Sequence, residues 1–389
     1  MVLRGFGTTI FAEMSALALE TGSINLGQGF PDTDGPAAML ERAAQGLRNG
    51  ENQYPPGPGV PDLRSAIAEH RERCYGLAYD PACEILVTVG ATEAISATIL
   101  GLCDPGDEVV VFEPYYDSYA AIIALAGANR AVVPLRPDAT GRFGFDVDDF
   151  RRAVTRRTRV VLLNSPHNPT GTVLTRGELE AIAAVCVERD LTVVTDEVYE
   201  HLTYDGAEHI PIATLPGMRE RCVAISSAGK SFSVTGWKIG WVCAPRALLT
   251  TVNTVKQFLT YTHNPAMQHA VAYALRNEMA WVDALRSSLQ ARRDQLAAGL
   301  EGVGMRVTRP QGTYFIQADV SPLGTTDGER FARDLPRLAG VVGIPTAVFC
   351  DSPDVGGRFV RFAFCKRPEV IDEAVQRLAK VAARVAPSS

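Results

Sequence analysis

Arg159-Val160-Val161-Leu162-Leu163-Asn164-Ser165-Pro166-His167-Asn168-Pro169-Thr170-Gly171 sets an apolar run directly against a polar loop. Val160 to Leu163 shows no alternation of apolar and polar residues. A strand of that kind is buried on both faces, as in parallel sheets covered by helices. The loop that follows holds two prolines and a glycine, which fix its backbone and keep polar side chains at the strand end. Pro169 drives Asn168 toward an extended backbone, so its amide can point into a crevice. Taken alone, the loop reads equally as a plain turn.

The same pattern extends in both directions. Ile85–Val89, Glu108–Phe112, Leu191–Thr195, Val223–Ser226 and Ile239–Val242 are apolar runs. Helical patterns separate several of them, at Ala91–Leu102, Asp117–Leu125 and Glu178–Arg189. Strands alternating with helices predict an α/β fold with a mostly parallel sheet covered on both faces. Farther on, Trp281–Leu300 reads as a long helix, Tyr314–Ile316 and Phe359–Phe362 as strands, and Val370–Val385 as a helix. That sequence of elements predicts a smaller α+β domain. A chain of 389 residues exceeds the size at which one core stops growing. The expected division is a large domain over 35–285 and a small one made of 1–34 and 286–389.

Composition narrows the partners. Hydrophobic residues make up 46% and charged residues 21%, which is ordinary for a soluble globular chain. The net charge of −6 argues against nucleic acid or an anionic membrane. The eight cysteines form no CxxC pair, so free thiols in a reducing cytoplasm are expected, without a metal centre. No apolar run reaches the length of a membrane span, and Met1–Phe6 lacks the apolar core of a signal peptide.

In open α/β sheets ligands bind beyond the carboxyl ends of the strands, and the residues there are unusual. After Val89 come Gly90, Ala91 and Thr92, a glycine leading into a helix start that offers free N–H groups to an anion. The alternative is a plain helix cap by Thr92. After Thr195 come Asp196 and, three residues on, Tyr199. A carboxylate ending a buried strand is costly without a cationic partner, and a protonated pyridine nitrogen is one such partner; an ordinary helix cap is another reading. After Ile225, the run Ser226-Ser227-Ala228-Gly229-Lys230-Ser231-Phe232-Ser233-Val234-Thr235-Gly236-Trp237-Lys238 surrounds one lysine with small hydroxylic residues. A lysine with a lowered pKa forms imines with carbonyl compounds. Ser227 and Lys238 are spaced to converge on an anion. A Walker phosphate loop does not account for this run, because Ala224 stands where its first glycine belongs.

With these motifs in order, the chain resembles the fold-type I pyridoxal-phosphate aminotransferases of class I/II over essentially its whole length. The resemblance rests on SSAGKSFSVTGWKIGW, NSPHNPTG and TDEVYEHL. It implies a seven-stranded, mostly parallel large-domain sheet and pyridoxal 5′-phosphate as cofactor. By resemblance, Lys230 holds the cofactor as a Schiff base and moves the substrate proton. Asp196 keeps the pyridine nitrogen protonated, Asn168 and Tyr199 meet the phenolic oxygen, and Tyr116 stacks on the ring. Gly90, Ala91, Thr92, Ser227 and Lys238 hold the phosphate, where many relatives have arginine in place of Lys238. Tyr54, in Gly50-Glu51-Asn52-Gln53-Tyr54, resembles the tyrosine that reaches the phosphate of a neighbouring subunit, which implies a homodimer with shared sites. Arg361 matches the arginine that clamps the substrate carboxylate, and Gly29 lies in the N-terminal loop that closes over it.

The implied reaction moves an amino group between an L-amino acid and a 2-oxo acid, with 2-oxoglutarate or glutamate as one of the pair. GTTIFAEMSALA, INLGQGFPDTDGP and NQYPPGPG resemble N-succinyldiaminopimelate aminotransferases of lysine biosynthesis. They also resemble methionine, glutamine and kynurenine aminotransferases. Phe11 matches an aromatic of that side-chain pocket, and His263 a wall contributed by the partner subunit. A succinyl group calls for cations at the rim, with Arg4, Lys256 and Arg309 as candidates. A carbon–sulfur β-lyase would use the same cofactor site and is a further alternative.

Overall fold

The computed structural model describes residue 3 and residues 6–385, apart from the side chains of 381–385; Arg4 lies outside the described residues. Seven strands form the large sheet: β1 (Ile85–Val89), β2 (Glu108–Glu113), β3 (Asn129–Pro134), β4 (Thr158–Asn164), β5 (Thr192–Asp196), β6 (Cys222–Ser227) and β7 (Ile239–Cys243). Their order is β1-β7-β6-β5-β4-β2-β3. Strand β7 runs antiparallel to both neighbours, and the remaining pairs are parallel. Alternation along the strands decides which core each residue joins. Val110, Phe112, Val161, Leu163 and Val193 enter the apolar cluster on one face. Val109, Val111, Val160, Leu162 and Val194 enter the cluster on the other. Continuous apolar runs are therefore required, since each face removes its own side chains from water at about 1.5–3 kcal/mol apiece.

Strand β3 is not marked by the alternation of apolar runs. It is an edge strand with one buried residue, Val133, and its ends are polar or proline. One-sided exposure erases the apolar signal there.

Helix α1 (Ile10–Thr21) precedes the large sheet in the chain, and the helices that cover that sheet include α2 (Pro61–Tyr75), α3 (Gly90–Leu102), α4 (Asp117–Leu125) and α5 (Arg176–Glu188). Helix α5 begins earlier than its apolar periodicity suggests. The Thr175 hydroxyl accepts from the Glu178 N–H, and the Glu178 carboxylate accepts from the Thr175 N–H, a capping box that sets the start at Arg176.

A second sheet, β8 (Arg306–Val307), β9 (Phe315–Asp319), β10 (Ile344–Pro345) and β11 (Phe359–Ala363), runs β8-β9-β11-β10 with antiparallel pairs. The N-terminal segment packs on it. Ile24–Asn25 pairs in parallel with Val341–Val342. Ile10, Met14 and Ala18 of α1 bury against Val342, Ile344 and Phe349. Among the described residues no helix is long and apolar enough to cross a membrane. All eight cysteines are free; five are buried, Cys83 and Cys350 are part-buried, and Cys74 is exposed.

Candidate active site

Because β7 is antiparallel, its beginning rather than its end lies at the carboxyl edge of the sheet. Ile239 pairs with Val89 and Gly240 with Ser227. Lys238 therefore arrives beside Gly90 and Ser227 although the chain separates them widely. A Cβ on Gly90 would lie 3.2 Å from the Lys238 amine, and one on Gly240 would meet the Gly90 carbonyl carbon at 2.5 Å. Gly90 has φ +72°, the left-handed region that glycine tolerates. The residue flanking α3 is Val89, not Thr92, and it supplies no side-chain cap. The N–H groups at Ala91 and Thr92 thus face the crevice beside a lysine, which is an anion cradle.

A cavity of about 310 Å³ opens here. Its walls bring together Gly90, Ala91, Thr92, Tyr116, Asn168, Asp196, Tyr199, Ser227, Lys230, Lys238, Arg361, Gly29 and Phe11. Tyr54 and His263 are not in it. They share a separate cleft with Asn52, Thr262 and Asn264, where Tyr54 is 84% exposed. Lys256 is also elsewhere, donating to the carbonyls of Gly57 and Tyr261. Arg309 is exposed and does not line the cavity. The expectation that Lys256 or Arg309 lines the substrate rim is therefore corrected for the single chain. Lys256 turns inward because backbone carbonyls offer its buried ammonium partners.

At the floor, Asp196 is buried. One carboxylate oxygen accepts from the Tyr119 hydroxyl at 2.6 Å and the other from the Val198 N–H at 3.3 Å. Burial pushes its pKa up to about 6, against the pull of the Tyr119 hydrogen bond and the Lys230 charge. Tyr119 was not singled out in the sequence. It lies in the first turn of α4, three residues after Tyr116, which is the extended residue that precedes the helix; the rings meet edge to face at 5.7 Å.

Lys230 belongs to a single helical turn directly after β6. Burial lowers its amine to about 8; the Cys365 thiol and Asp196 oppose that, while Arg361 and Lys238 add to it. The amine donates to the Tyr314 hydroxyl at 3.0 Å, another residue the sequence reading did not select. Asn168 is fixed from both sides. Its N–H donates to the Asn164 side chain at 2.7 Å, and its amide oxygen accepts from Arg361 at 2.9 Å. The rest of its amide is left for the phenolic oxygen of a cofactor. Tyr199 is buried, which raises its hydroxyl well above the usual phenol range.

Arg361 is 1% exposed, yet among the described residues no carboxylate is paired with it. It donates to Asn168 and, at 2.9 Å, to the Gly27 carbonyl, while its Nε has no partner. The guanidinium lies 3.9 Å from the Phe315 ring centroid and 5.2 Å from that of Phe11. Burial lowers its pKa to about 10. A desolvated guanidinium with an open edge is a carboxylate receptor.

Beneath Asp196, Arg71 bonds to Glu197 at 2.8 Å and Glu200 at 3.1 Å, all buried. His70 and His201 face each other through their Nε2 atoms at 2.8 Å, and with Glu200 they form a group of metal-ligating type. Both Glu200 oxygens are already engaged, by Ser226 on one side and by Tyr75 and Arg71 on the other. The buried guanidinium opposes a second cation there.

These residues fit pyridoxal 5′-phosphate. The uncapped α3 start with Lys238 suits the phosphate, and Lys230 the aldehyde. The buried carboxylate of Asp196, with no cation hydrogen-bonded to it among the described residues, suits a protonated ring nitrogen.

Comparison with known proteins agrees. Residues 21–378 match the family model described as aminotransferase class I and II. The chain is 54% identical to a probable N-succinyldiaminopimelate aminotransferase of Mycobacterium tuberculosis, covering 99% of this chain and 98% of that one. The solved structure of N-succinyldiaminopimelate aminotransferase from that organism superposes with a TM-score of 0.96 at 55% identity, covering 98% and 99%. An Escherichia coli methionine aminotransferase is 40% identical over 97% of this chain and 96% of its own. A mouse kynurenine–oxoglutarate transaminase is 37% identical over 96% and 88%. With this cavity and these relatives, the chain belongs to the class I and II aminotransferases, enzymes that use pyridoxal 5′-phosphate.

Proposed function

We propose that the amino donor is N-succinyl-LL-2,6-diaminopimelate and the acceptor 2-oxoglutarate, a step of lysine biosynthesis, with Lys230 as the group that moves the substrate proton. The observation that carries the amino-acid reading is Arg361, a buried guanidinium that has no acidic partner among the described residues and shares its cavity with a lysine amine. The donor is supported by 54% identity along nearly the whole chain.

When bound, the cofactor supplies an electron sink for the pair left on the substrate Cα. Lys230, lowered to about 8, exchanges a proton near neutral pH. Arg361 orients the α-carboxylate with a planar fork, and Gly29 offers its N–H from the N-terminal arm. Asp196 holds the proton of the ring nitrogen, Asn168 and Tyr199 meet the phenolic oxygen, and Tyr116 covers the ring face. The small domain, residues 1–34 and 286–389, closes over the substrate and excludes water. The active form is a homodimer in which Tyr54 and His263 serve the partner's site. That assembly is supported by the exposure of Tyr54 and Phe258, each 84%, and of Tyr261, 48%, and sedimentation at equilibrium tests it. A cytoplasmic location is supported by the eight free thiols.

A second reading, large neutral donors such as methionine, glutamine or kynurenine, is favoured by the cavity wall. Phe11, Ile95, Val198 and Phe315 line it, and among the described residues its cations are Lys230, Lys238 and Arg361. The deciding experiment compares kcat/KM for these donors and N-succinyl-diaminopimelate with 2-oxoglutarate as acceptor. The succinyl donor is expected to lead by at least about tenfold, the discrimination a few pocket contacts supply. A lead by methionine or kynurenine would favour the second reading.

A further inference from the structure

The lysine at the centre of the site is not alone in its hydrogen bonding. Its amine donates to the Tyr314 hydroxyl at 3.0 Å. That hydroxyl in turn donates to the Gly29 carbonyl. Tyr314 is 1% exposed and stands immediately before β9 of the small domain. Its ring packs edge to face on Tyr199, with centroids 5.2 Å apart, and on Phe315 at 4.9 Å. Three segments remote in the chain therefore meet at one phenol: the lysine turn after β6, the residue leading into β9, and the N-terminal arm.

The direction of these bonds matters. A phenol has one proton. Here the proton is given to Gly29, so the oxygen meets the lysine only as an acceptor. It takes an N–H from the amine and leaves the nitrogen lone pair unblocked. Were the phenol proton turned toward the amine, it would occupy that lone pair and oppose proton abstraction.

We propose that Tyr314 is a positioning residue for Lys230: by spending its proton on the Gly29 carbonyl and accepting an N–H from the amine, it aims a free lone pair at the substrate and makes that aim depend on the arm being in place. The inference rests on the reading of Lys230 as the proton-moving amine. In the step concerned, the substrate Cα–H bond breaks, the proton passes to the Lys230 nitrogen, and the electron pair stays on the substrate, where bound cofactor would serve as its sink. Withdrawal of the arm removes Gly29, frees the phenol proton, and lets it turn back onto the amine.

The test is Tyr314→Phe, which keeps the ring and its packing and removes one oxygen. A thermal melt compared with the parent establishes that the fold is retained. The first readout needs no turnover. In the apoenzyme, the pH dependence of Lys230 modification by trinitrobenzenesulfonate, followed by peptide mapping, reports the amine pKa. Loss of an acceptor that favours the ammonium should shift it down by about half a unit or more. The second readout is the first half-reaction with a Cα-deuterated donor. Its rate should fall about tenfold or more, and its primary isotope effect should rise as proton transfer becomes more rate-limiting. If the variant leaves the lysine titration and the isotope effect unchanged and raises only KM, Tyr314 is merely an anchor for the arm and the proposal fails. Lys230→Ala separates the underlying reading: retained proton exchange at Cα in that variant would remove Lys230 from its role whatever Tyr314 does.

Discussion

Replacing Asp196 by asparagine keeps the size of the side chain and its acceptor for the Tyr119 hydroxyl but removes the charge. In the apoenzyme this carboxylate is buried, and among the described residues it accepts two hydrogen bonds and has no cation bonded to it. Its pKa rises from 3.8 to about 6, and burial is the main cause. A rise of about two units corresponds to roughly 3 kcal/mol. The sign follows from proton binding. An acid with a raised folded pKa holds its proton more tightly when folded, so stability is lost as pH climbs from 3.8 through about 6. About half of that loss is already present near pH 5. Between about pH 5 and pH 7.5, wild-type apoenzyme should therefore lose about 1.5 kcal/mol more than Asp196→Asn, read from urea midpoints at constant slope. Cofactor should reverse the ranking, because a protonated ring nitrogen supplies the missing partner to the wild type alone. Parallel pH curves in the apoenzymes, or equal stabilisation of both proteins by cofactor, would refute the assignment of Asp196 to the ring nitrogen.

Lys230→Ala should reduce turnover by more than about 10⁴-fold and abolish the absorbance of the lysine–cofactor linkage; a coloured, active variant would contradict the site. Arg361→Ala should lower kcat/KM by about 2–5 kcal/mol, roughly thirty- to several-thousand-fold, with Arg361→Lys recovering part of it. A change below about tenfold would mean that another group grips the carboxylate. Gly29→Ala would place its Cβ 2.5 Å from the Phe315 ring and so displace the arm; KM for the donor should rise about tenfold or more by steady-state kinetics, and an unchanged KM would detach the arm from substrate binding.

The strands that position the site are readable because both faces of the sheet are covered. Val160–Leu163 needs no alternation when successive side chains enter different cores. Strand β3 escapes the same reading because, at the edge, only Val133 is buried. Asp196, Asn168 and Lys230 are visible as polar residues stationed at the ends of apolar runs. The roles of Tyr116 and Arg361 came from resemblance, since nothing in their local spacing says what they face. Tyr119 and Tyr314 went unnoticed for a physical reason. Each looks like an ordinary core aromatic along the chain, and its hydroxyl gains meaning only through a partner 77 or 84 residues away. Lys256 and Arg309 failed as rim cations for the converse reason: the direction of a long charged side chain depends on which carbonyls or solvent it finds, as Lys256 illustrates.

The bond from Arg361 to the Gly27 carbonyl has a consequence for which molecules the enzyme processes. The Ala363 N–H also donates to the Leu26 carbonyl, so strand β11 and the arm are stitched at two points. On the proposed closure, a carboxylate bound to the guanidinium would draw the arm with it. A primary amine lacking a carboxylate would exert no such pull and would leave the chamber unlatched and open to water. Discrimination against simple amines is then a matter of shutting as much as of holding, a selectivity by induced closure.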